Sequence, residues 1–109
     1  MYTIKITRIA EEDLLEVIQY ISEKLKSPRA ASNLIDLIEQ KMLILEDAPF
    51  SCRLIDDEYF QKREIRFLQV KNYLIFFRIN RDMKEISIIR ILYARRDWVN
   101  ILKENKLEE

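Results

Sequence analysis

The sequence of 109 residues contains neither histidine nor glycine. Histidine is the side chain that most often moves protons near neutral pH and binds zinc, so its absence excludes His-based acid–base catalysis and histidine zinc sites. Without glycine, the chain lacks the backbone geometry of phosphate-cradling loops and dinucleotide-binding turns. These absences argue against most cofactor-dependent enzyme chemistry, and we expect no cofactor and no bound metal.

Cysteine is scarce, and long apolar runs are missing. The single cysteine, Cys52, cannot form an internal disulfide, which suits a protein of the reducing cytoplasm. No apolar run reaches the roughly 20 residues that span a bilayer. The N-terminus passes directly into a strand pattern rather than a signal peptide. We therefore expect one cytoplasmic domain over residues 1–109, with no membrane partner.

Charge is distributed unevenly along a chain whose net charge is zero. Residues 62–96, here called the basic segment, carry ten basic and three acidic side chains, a net charge of +7. The acidic excess lies in the rest of the chain. Because the basic segment reads as strands and the acidic part mainly as helices, we expect a polarised molecule that attracts phosphate or carboxylate groups.

The N-terminal half is predicted to form a strand followed by two helices. Side chains alternate in polarity over residues 2–8, which indicates a half-buried strand. Helical spacing then relates Leu14, Ile18, Ile21 and Leu25. Ser27 and Pro28 suit the start of a second helix, which continues to about residue 46 and forms a hairpin with the first. A polar loop is expected from residue 49 to about residue 61.

The basic segment is predicted to contribute three strands, over residues 63–70, 72–80 and 85–93, with an irregularity before Leu68. The last fourteen residues read as a short, frayed helix. The predicted fold class is α+β, with the order β-α-α-β-β-β and an antiparallel sheet packed on one face by the helical hairpin. Because the last two strands are apolar on both faces, the second face needs a cover, either the C-terminal helix or another polypeptide.

Three arginines interrupt the apolar strands: Arg66, Arg78 and Arg90. In a meander they could converge on the face away from the helices, with Arg95 and Arg96 at its rim. Guanidinium groups bind phosphate bidentately, and nearby aromatic side chains could stack on bases: Tyr73, Phe76, Tyr93 and Trp98. The alternative interpretation is that these arginines are ordinary solvated strand positions.

The chain resembles the RelE/ParE superfamily of toxins from bacterial type II toxin–antitoxin modules. The most specific stretches are V-K-N-Y-L-I-F-F-R-I (70–79) and I-I-R-I-L-Y-A-R-R-D-W (88–98), since ParE-like members carry something close to R-V-L-H-x-R-R-D in the second one. A weaker match is A-E-E-D-L-L-E-V-I-Q-Y-I (10–21). The resemblance implies the fold given above, a cytoplasmic toxin, and a cognate antitoxin that wraps the toxin and covers its bare apolar face.

The superfamily divides by target, and the resemblance leaves two activities open. RelE-like members cut mRNA on the ribosome, whereas ParE-like members inhibit DNA gyrase without hydrolysis. A nuclease would use Arg66 and Arg96 on the phosphate and Tyr93 for proton transfer, which requires lowering the phenol pKa from about 10. Leu102 stands where some nucleases place an aromatic base, so the catalytic set is incomplete.

The incomplete set favours a ParE-like toxin that stabilises plasmids and acts by binding DNA gyrase. The residues expected to contact the target or phosphate are Arg78, Arg90, Arg95, Arg96, Asp97 and Trp98. Two alternatives stay open. One is a ribosome-dependent mRNA endonuclease (an mRNA interferase), with the ribosome and mRNA as partners. The other is a binding module that has lost toxicity and only pairs with a partner chain.

Overall fold

The chain folds into a four-stranded sheet with helices on both faces, in a computed structural model that describes residues 1–104. The strands are β1 (Thr3–Ile6), β2 (Arg66–Val70), β3 (Tyr73–Asn80) and β4 (Glu85–Tyr93). The helices are α1 (Arg8–Gln19), α2 (Pro28–Asp47), α3 (Glu58–Lys62) and α4 (Trp98–Glu104). A π-helical turn (Tyr20–Lys24) extends α1, and a 3₁₀ turn (Pro49–Ser51) follows α2. The predicted C-terminal helix is confirmed as far as Glu104, and the rest of that prediction lies outside the described residues.

The strand order is β1-β4-β3-β2. Strands β2, β3 and β4 form the predicted antiparallel meander, but β1 runs parallel to β4, from Thr3 opposite Glu85 to Ile6 opposite Ile88. The α+β class is confirmed, whereas the prediction of a wholly antiparallel sheet is wrong. Parallel pairing needs a long crossover connection, and here the helical hairpin and the meander lie between the two paired strands.

The two long helices begin where the sequence predicts. The Thr7 hydroxyl accepts a hydrogen bond from the Ala10 backbone N–H at 3.3 Å, and the Ser27 hydroxyl accepts one from the Ala30 N–H at 3.3 Å. The predicted apolar stripe of α1 holds up to Ile21, but Leu25 is 56% exposed. The π-helical turn explains this difference, because its wider spacing rotates the following residues away from the stripe.

One apolar core lies between the helical hairpin and the sheet. Its buried members on the helices include Ala31, Leu34, Ile38 and Leu45, and on the sheet Ile75, Phe77, Ile86 and Ile88. Burial of this kind stabilises a fold by roughly 25 cal/mol per Å² of apolar surface. No helix of the described chain is both long enough and apolar enough to cross a membrane.

A second core covers the other face of the sheet. Leu74, Phe76 and Leu92 pack there against Phe60 of α3 and Leu102 of α4. The C-terminal helix therefore supplies part of the expected cover. The rest comes from residues 55–65, where the sequence predicts only a polar loop for most of the segment. Asp57 makes the helical turn possible, since its Oδ1 accepts a hydrogen bond from the Tyr59 N–H at 2.9 Å.

The strands contain one irregularity, and it lies elsewhere than predicted. Strand β2 alternates regularly, with Ile65 and Phe67 beside the second core and Leu68 and Val70 beside the first. The register shifts instead between β3 and β4, where Ile89 has no paired residue. This bulge lies just beyond Ile88, the last β4 residue that pairs with β1. Bulges bend a strand and re-aim its side chains.

Among residues 1–104, four occupy the left-handed region that glycine usually fills: Lys26 (φ 52°), Glu64 (φ 51°), Lys71 (φ 54°) and Lys84 (φ 50°). Lys71 lies in the β2–β3 turn, and Lys84 ends the β3–β4 turn. Left-handed backbone costs a non-glycine residue roughly 1 kcal/mol, so a chain without glycine carries this cost at its tight turns.

A buried ion pair connects α1 to the bulged part of β4. Asp13 Oδ2 accepts hydrogen bonds from Arg90 Nε at 2.7 Å and from the Ile91 backbone N–H at 3.0 Å, and its Oδ1 accepts one from Arg90 Nη2 at 2.8 Å. The side chains of Arg90 and Asp13 are only 11% and 8% exposed. Asp13 of α1 therefore makes a tertiary contact with both the side chain and the backbone of β4.

We predict that Asp13→Ala lowers the free energy of unfolding by about 3–5 kcal/mol, because it leaves the buried guanidinium of Arg90 without its counter-charge. Urea denaturation of the purified chain measures this. Glu16→Ala, an exposed acid on the same helix, should stay within about 0.5 kcal/mol of wild type. A loss below about 1 kcal/mol for Asp13→Ala would show that the pair does not hold α1 on the sheet.

Candidate functional site

The structure separates the three strand arginines that the sequence was expected to bring together. Arg66 and Arg78 line one open cavity of about 830 Å³ at the β3–β4 turn end of the sheet. Arg90 is held by Asp13 of α1 instead. The predicted three-arginine cluster is therefore wrong for Arg90, because the bulge at Ile89 places it where the α1 carboxylate reaches it.

Arg66 is fixed by two contacts. Its Nη1 donates a hydrogen bond to the Cys52 carbonyl oxygen at 2.6 Å, and its guanidinium carbon lies 5.1 Å from the ring centroid of Phe50. Arg81, from the β3–β4 turn, approaches the same ring at 4.8 Å. Phe50 belongs to the 3₁₀ turn after α2 and is 40% exposed. Residues distant in sequence thus form one cationic and aromatic group beside the cavity.

Cys52 lies next to this group as a free thiol. Burial raises the pKa of the Cys52 thiol above its ordinary value, against smaller opposing effects of the Ser51 hydrogen bond and the Arg66 charge. A raised pKa keeps the sulfur protonated and unreactive at neutral pH, so this thiol is not an activated nucleophile. Within residues 1–104, no three side chains of metal-binding type stand close enough to hold an ion.

A second polar region lies at the opposite end of β3 and β4. Tyr93 pairs directly with Tyr73 across the strands, and their ring centroids are 5.7 Å apart. Burial raises the pKa of the Tyr73 phenol, and the neighbouring phenols of Tyr93 and Tyr20 raise it further. Tyr20 is 53% exposed on the π-helical turn. Arg95 and Arg96 follow Tyr93 and are exposed. We call these five residues the tyrosine–arginine end.

The remaining predicted contact residues have partners within the fold. Asp97 precedes α4, and its Oδ2 accepts a hydrogen bond from Asn100 Nδ2 at 2.6 Å. Trp98 packs in the second core, with ring centroids 5.4 Å from Phe76 and 6.3 Å from Phe60. Trp98 thus packs α4 on the sheet, whereas Asp97 bonds within the first turn of α4. Asp97 is still exposed, whereas Trp98 is half-buried.

The three residues proposed for nuclease chemistry do not surround a common point. Arg66 lies opposite Phe77, which lies opposite Ile88, whereas Tyr93 is five residues further along β4. Strand geometry therefore places the backbones of Arg66 and Tyr93 about 15 Å apart along the strand direction and about 10 Å apart across the sheet. The side chains are also held by separate partners, Arg66 by the Cys52 carbonyl and the Phe50 ring and Tyr93 by the Tyr73 ring. Arg96 lies at the Tyr93 end, where its N–H donates to the Tyr93 carbonyl at 3.0 Å.

Phe50, Arg81 and Tyr20 belong to these two regions but were not singled out from the sequence. Their only signals are local: Phe50 follows a proline, Arg81 occupies a predicted turn, and Tyr20 lies beside the apolar stripe of the first predicted helix. Each reaches its region through contacts between distant segments. Local patterns do not record such contacts.

The sequence matches the family model of the ParE toxin of type II toxin–antitoxin systems over residues 4–98. No curated protein matches it significantly.

Two solved structures share the fold. A chain of the chromosomal ParDE toxin–antitoxin system from P. aeruginosa is 24% identical with a TM-score of 0.69, over 87% of this chain and 98% of that chain. A chain of the RelBE2 toxin–antitoxin complex from Mycobacterium tuberculosis is 17% identical with a TM-score of 0.58, over 84% and 96%. At these identities the structures establish only the common fold. The family model, which spans nearly the whole sequence, shows that the chain belongs to the ParE toxin family of type II toxin–antitoxin systems.

Proposed function

We propose that this toxin acts in the cytoplasm by binding and inhibiting DNA gyrase, and that it hydrolyses nothing itself. The observation that carries the proposal is the distance between Arg66 and Tyr93, which the β2–β3–β4 register keeps apart. A ribonuclease must activate a hydroxyl, stabilise a phosphate and protonate a leaving group at one place. The absence of histidine removes the usual substitute for a displaced tyrosine.

The tyrosine–arginine end is the surface best suited to contact the target. Tyrosine and arginine are enriched among the residues that dominate binding energy at protein interfaces. Here the Tyr73–Tyr93 pair provides an aromatic platform, and Arg95 and Arg96 provide exposed charges beside it. Trp98 supports this surface by packing α4 on the sheet, and Asp97 by bonding within the first turn of α4. Arg90 supports it from within the fold, by fixing β4 three residues before Tyr93.

A cognate antitoxin is proposed as the second partner, since the two solved structures compared above are described as a toxin–antitoxin system and a toxin–antitoxin complex. The second face of the sheet does not need the antitoxin as a cover, because α3 and α4 already bury it. Large apolar side chains instead remain exposed on the helical hairpin: Leu15, Leu25, Leu43 and Ile44. Exposed apolar groups of this kind provide the binding energy for an amphipathic partner segment.

We predict that the purified chain inhibits plasmid supercoiling by DNA gyrase, and that Arg95→Gln raises the half-maximal inhibitory concentration at least fivefold. Removing an exposed interface charge slows association and loses hydrogen bonds. Arg29→Gln makes the same charge change on exposed α2 and should leave inhibition unchanged. Normal supercoiling at saturating wild-type toxin would rule out gyrase as the target.

Tyr93→Phe separates binding from hydrolysis, because it keeps the ring on Tyr73 and removes only the hydroxyl. We predict inhibition of gyrase within about threefold of wild type. Messages in a translating extract should stay intact with either protein. Site-specific message cleavage by wild type that disappears in Tyr93→Phe would instead establish the ribosome-dependent endonuclease.

We predict that the antitoxin, taken as the product of the neighbouring reading frame, stabilises the folded toxin against heat. At one hundred times its Kd, a partner that binds only the folded toxin adds about 2.7 kcal/mol. For a domain of this size the Tm should rise by roughly 10 °C or more. Differential scanning calorimetry of the toxin alone and in complex measures the shift.

Leu43→Ser provides the control for that experiment. Because Leu43 is 62% exposed, the substitution should leave the Tm of the free toxin nearly unchanged but reduce the rise caused by the antitoxin. Equal melting temperatures for free and mixed wild-type protein would contradict the proposed pairing.

A further inference from the structure

The π-helical turn, the β2–β3 turn and the last residues of β4 meet at the tyrosine–arginine end. Tyr73 neighbours both Tyr20 and Tyr93. The Ala94 N–H donates a hydrogen bond to the Asn72 carbonyl at 2.8 Å, which joins the end of β4 to the β2–β3 turn. At roughly 3.3 Å per residue, the length of β3 separates this end from the β3–β4 turn by about 23 Å. The three segments thus form one surface that is remote from the cavity.

More cations lie at this end than the two arginines that name it. Lys24 and Lys26 belong to the π-helical turn and the residues after it, Lys71 belongs to the β2–β3 turn, and all three are exposed. None of these lysines, and neither Arg95 nor Arg96, forms an ion pair within residues 1–104. Exposed cations that no carboxylate of the fold neutralises attract an acidic partner and pair with its oxyanions.

The segments that carry these cations are fixed to one another before any partner binds. Asp13 of α1 binds both Arg90 and the Ile91 N–H of β4. The π-helical turn with Tyr20 continues α1, and Tyr93 ends β4. A surface that is already ordered loses less conformational entropy when it binds.

Two acidic side chains and an exposed leucine favour a protein over DNA as the partner of this end. Glu23 and Asp97 are exposed among the cations. A DNA duplex carries a phosphate at every nucleotide, so its backbone would meet these carboxylates as well as the cations. Leu25 is 56% exposed, and Tyr20 is 53% exposed. A phosphate backbone offers a leucine no apolar contact, whereas the core of a protein interface does.

The tyrosine–arginine end together with four further residues is here called the extended end: Lys24, Leu25, Lys26 and Lys71. We propose that the extended end binds an acidic surface of the gyrase protein itself, and that this binding does not require DNA. Carboxylates of that surface pair with the lysines and arginines, and its apolar side chains cover Leu25 and the tyrosine rings. The choice of gyrase as the partner is taken from the proposed function, on which this inference rests.

Surface plasmon resonance tests the proposal with the purified full-length chain in solution over two immobilised partners. One is gyrase without DNA, and the other is a short DNA duplex without gyrase. We expect the toxin to bind gyrase at least tenfold more tightly than the duplex. Its association rate with gyrase should fall at least fivefold as salt rises from about 50 to about 300 mM, since mobile ions screen exposed charges.

A matched pair of lysine variants locates the charged contact. Lys71 and Lys84 are both exposed and both occupy left-handed turn positions (φ 54° and 50°), but they lie at opposite ends of β3. Lys71→Gln should slow association with gyrase about threefold, because it removes one steering charge. Lys84→Gln makes the same change outside the extended end and should associate like wild type.

A second matched pair tests the apolar contact. Leu25→Ser should speed dissociation from gyrase at least fivefold, because the partner then loses the apolar surface that it covers. Leu43→Ser alters an equally exposed leucine near the other end of α2 and should dissociate like wild type. Both variants are measured without antitoxin, since these two leucines are also proposed to bind it.

Supercoiling assays on the same preparations separate this proposal from the proposed function. Inhibition of supercoiling combined with tighter binding to the duplex, or with no binding to DNA-free gyrase, would overturn the proposal and leave gyrase inhibition standing. Equal association by Lys71→Gln and wild type, together with equal dissociation by Leu25→Ser and wild type, would overturn it as well. Absence of both inhibition and binding would overturn the proposed function and this inference together.

Discussion

The Asp13–Arg90 pair is the contact on which the arrangement of the molecule depends. Strand β1 ends at Ile6, so the β4 backbone beyond Ile88 loses its strand neighbour on that side. Asp13 supplies the missing acceptor for the Ile91 N–H and neutralises Arg90 at the same point. The Asp13 carboxylate therefore accepts the hydrogen bond of an unpaired strand N–H and also neutralises a buried charge. Both contacts hold α1 against the bulged part of the strand. Without it, a buried guanidinium would have to be solvated in a nearly dry site.

This pairing divides the arginines of the basic segment between folding and binding. Arg90 forms an ion pair within the fold. Arg66 and Arg81 lie at one end of the β3–β4 hairpin, and Arg95 and Arg96 lie at the other end. The net charge of +7 thus does not form a single phosphate-binding face. It forms two cationic regions with different surroundings, one lined by carboxylates and one beside tyrosines. Two regions of this kind fit protein partners better than a continuous nucleic-acid track.

Much of the fold follows from local sequence patterns, and the rest depends on contacts between distant residues. The boundaries of α2 and β4 agree with prediction because capping residues, proline and strict periodicity mark them. The parallel position of β1, the bulge at Ile89 and the role of Asp13 could not be predicted, since each depends on which strand lies alongside. Helix α3 is too short for a periodic signal. The same holds for the candidate sites. Arg66 and Arg78 were expected to lie together, but Phe50 and Arg81 come close to them only through contacts between segments that are distant in sequence.

DNA gyrase is proposed to contact the tyrosine–arginine end and not the middle of the basic strands. Hydrogen exchange of backbone amides, measured with and without DNA gyrase, tests it most directly. We predict added protection at residues 20–24 and 93–97, with the amide of Ile91 equally protected in both states because Asp13 already holds it. Added protection centred on Arg78 and Ser87, with none at Tyr93 to Arg96, would contradict the account.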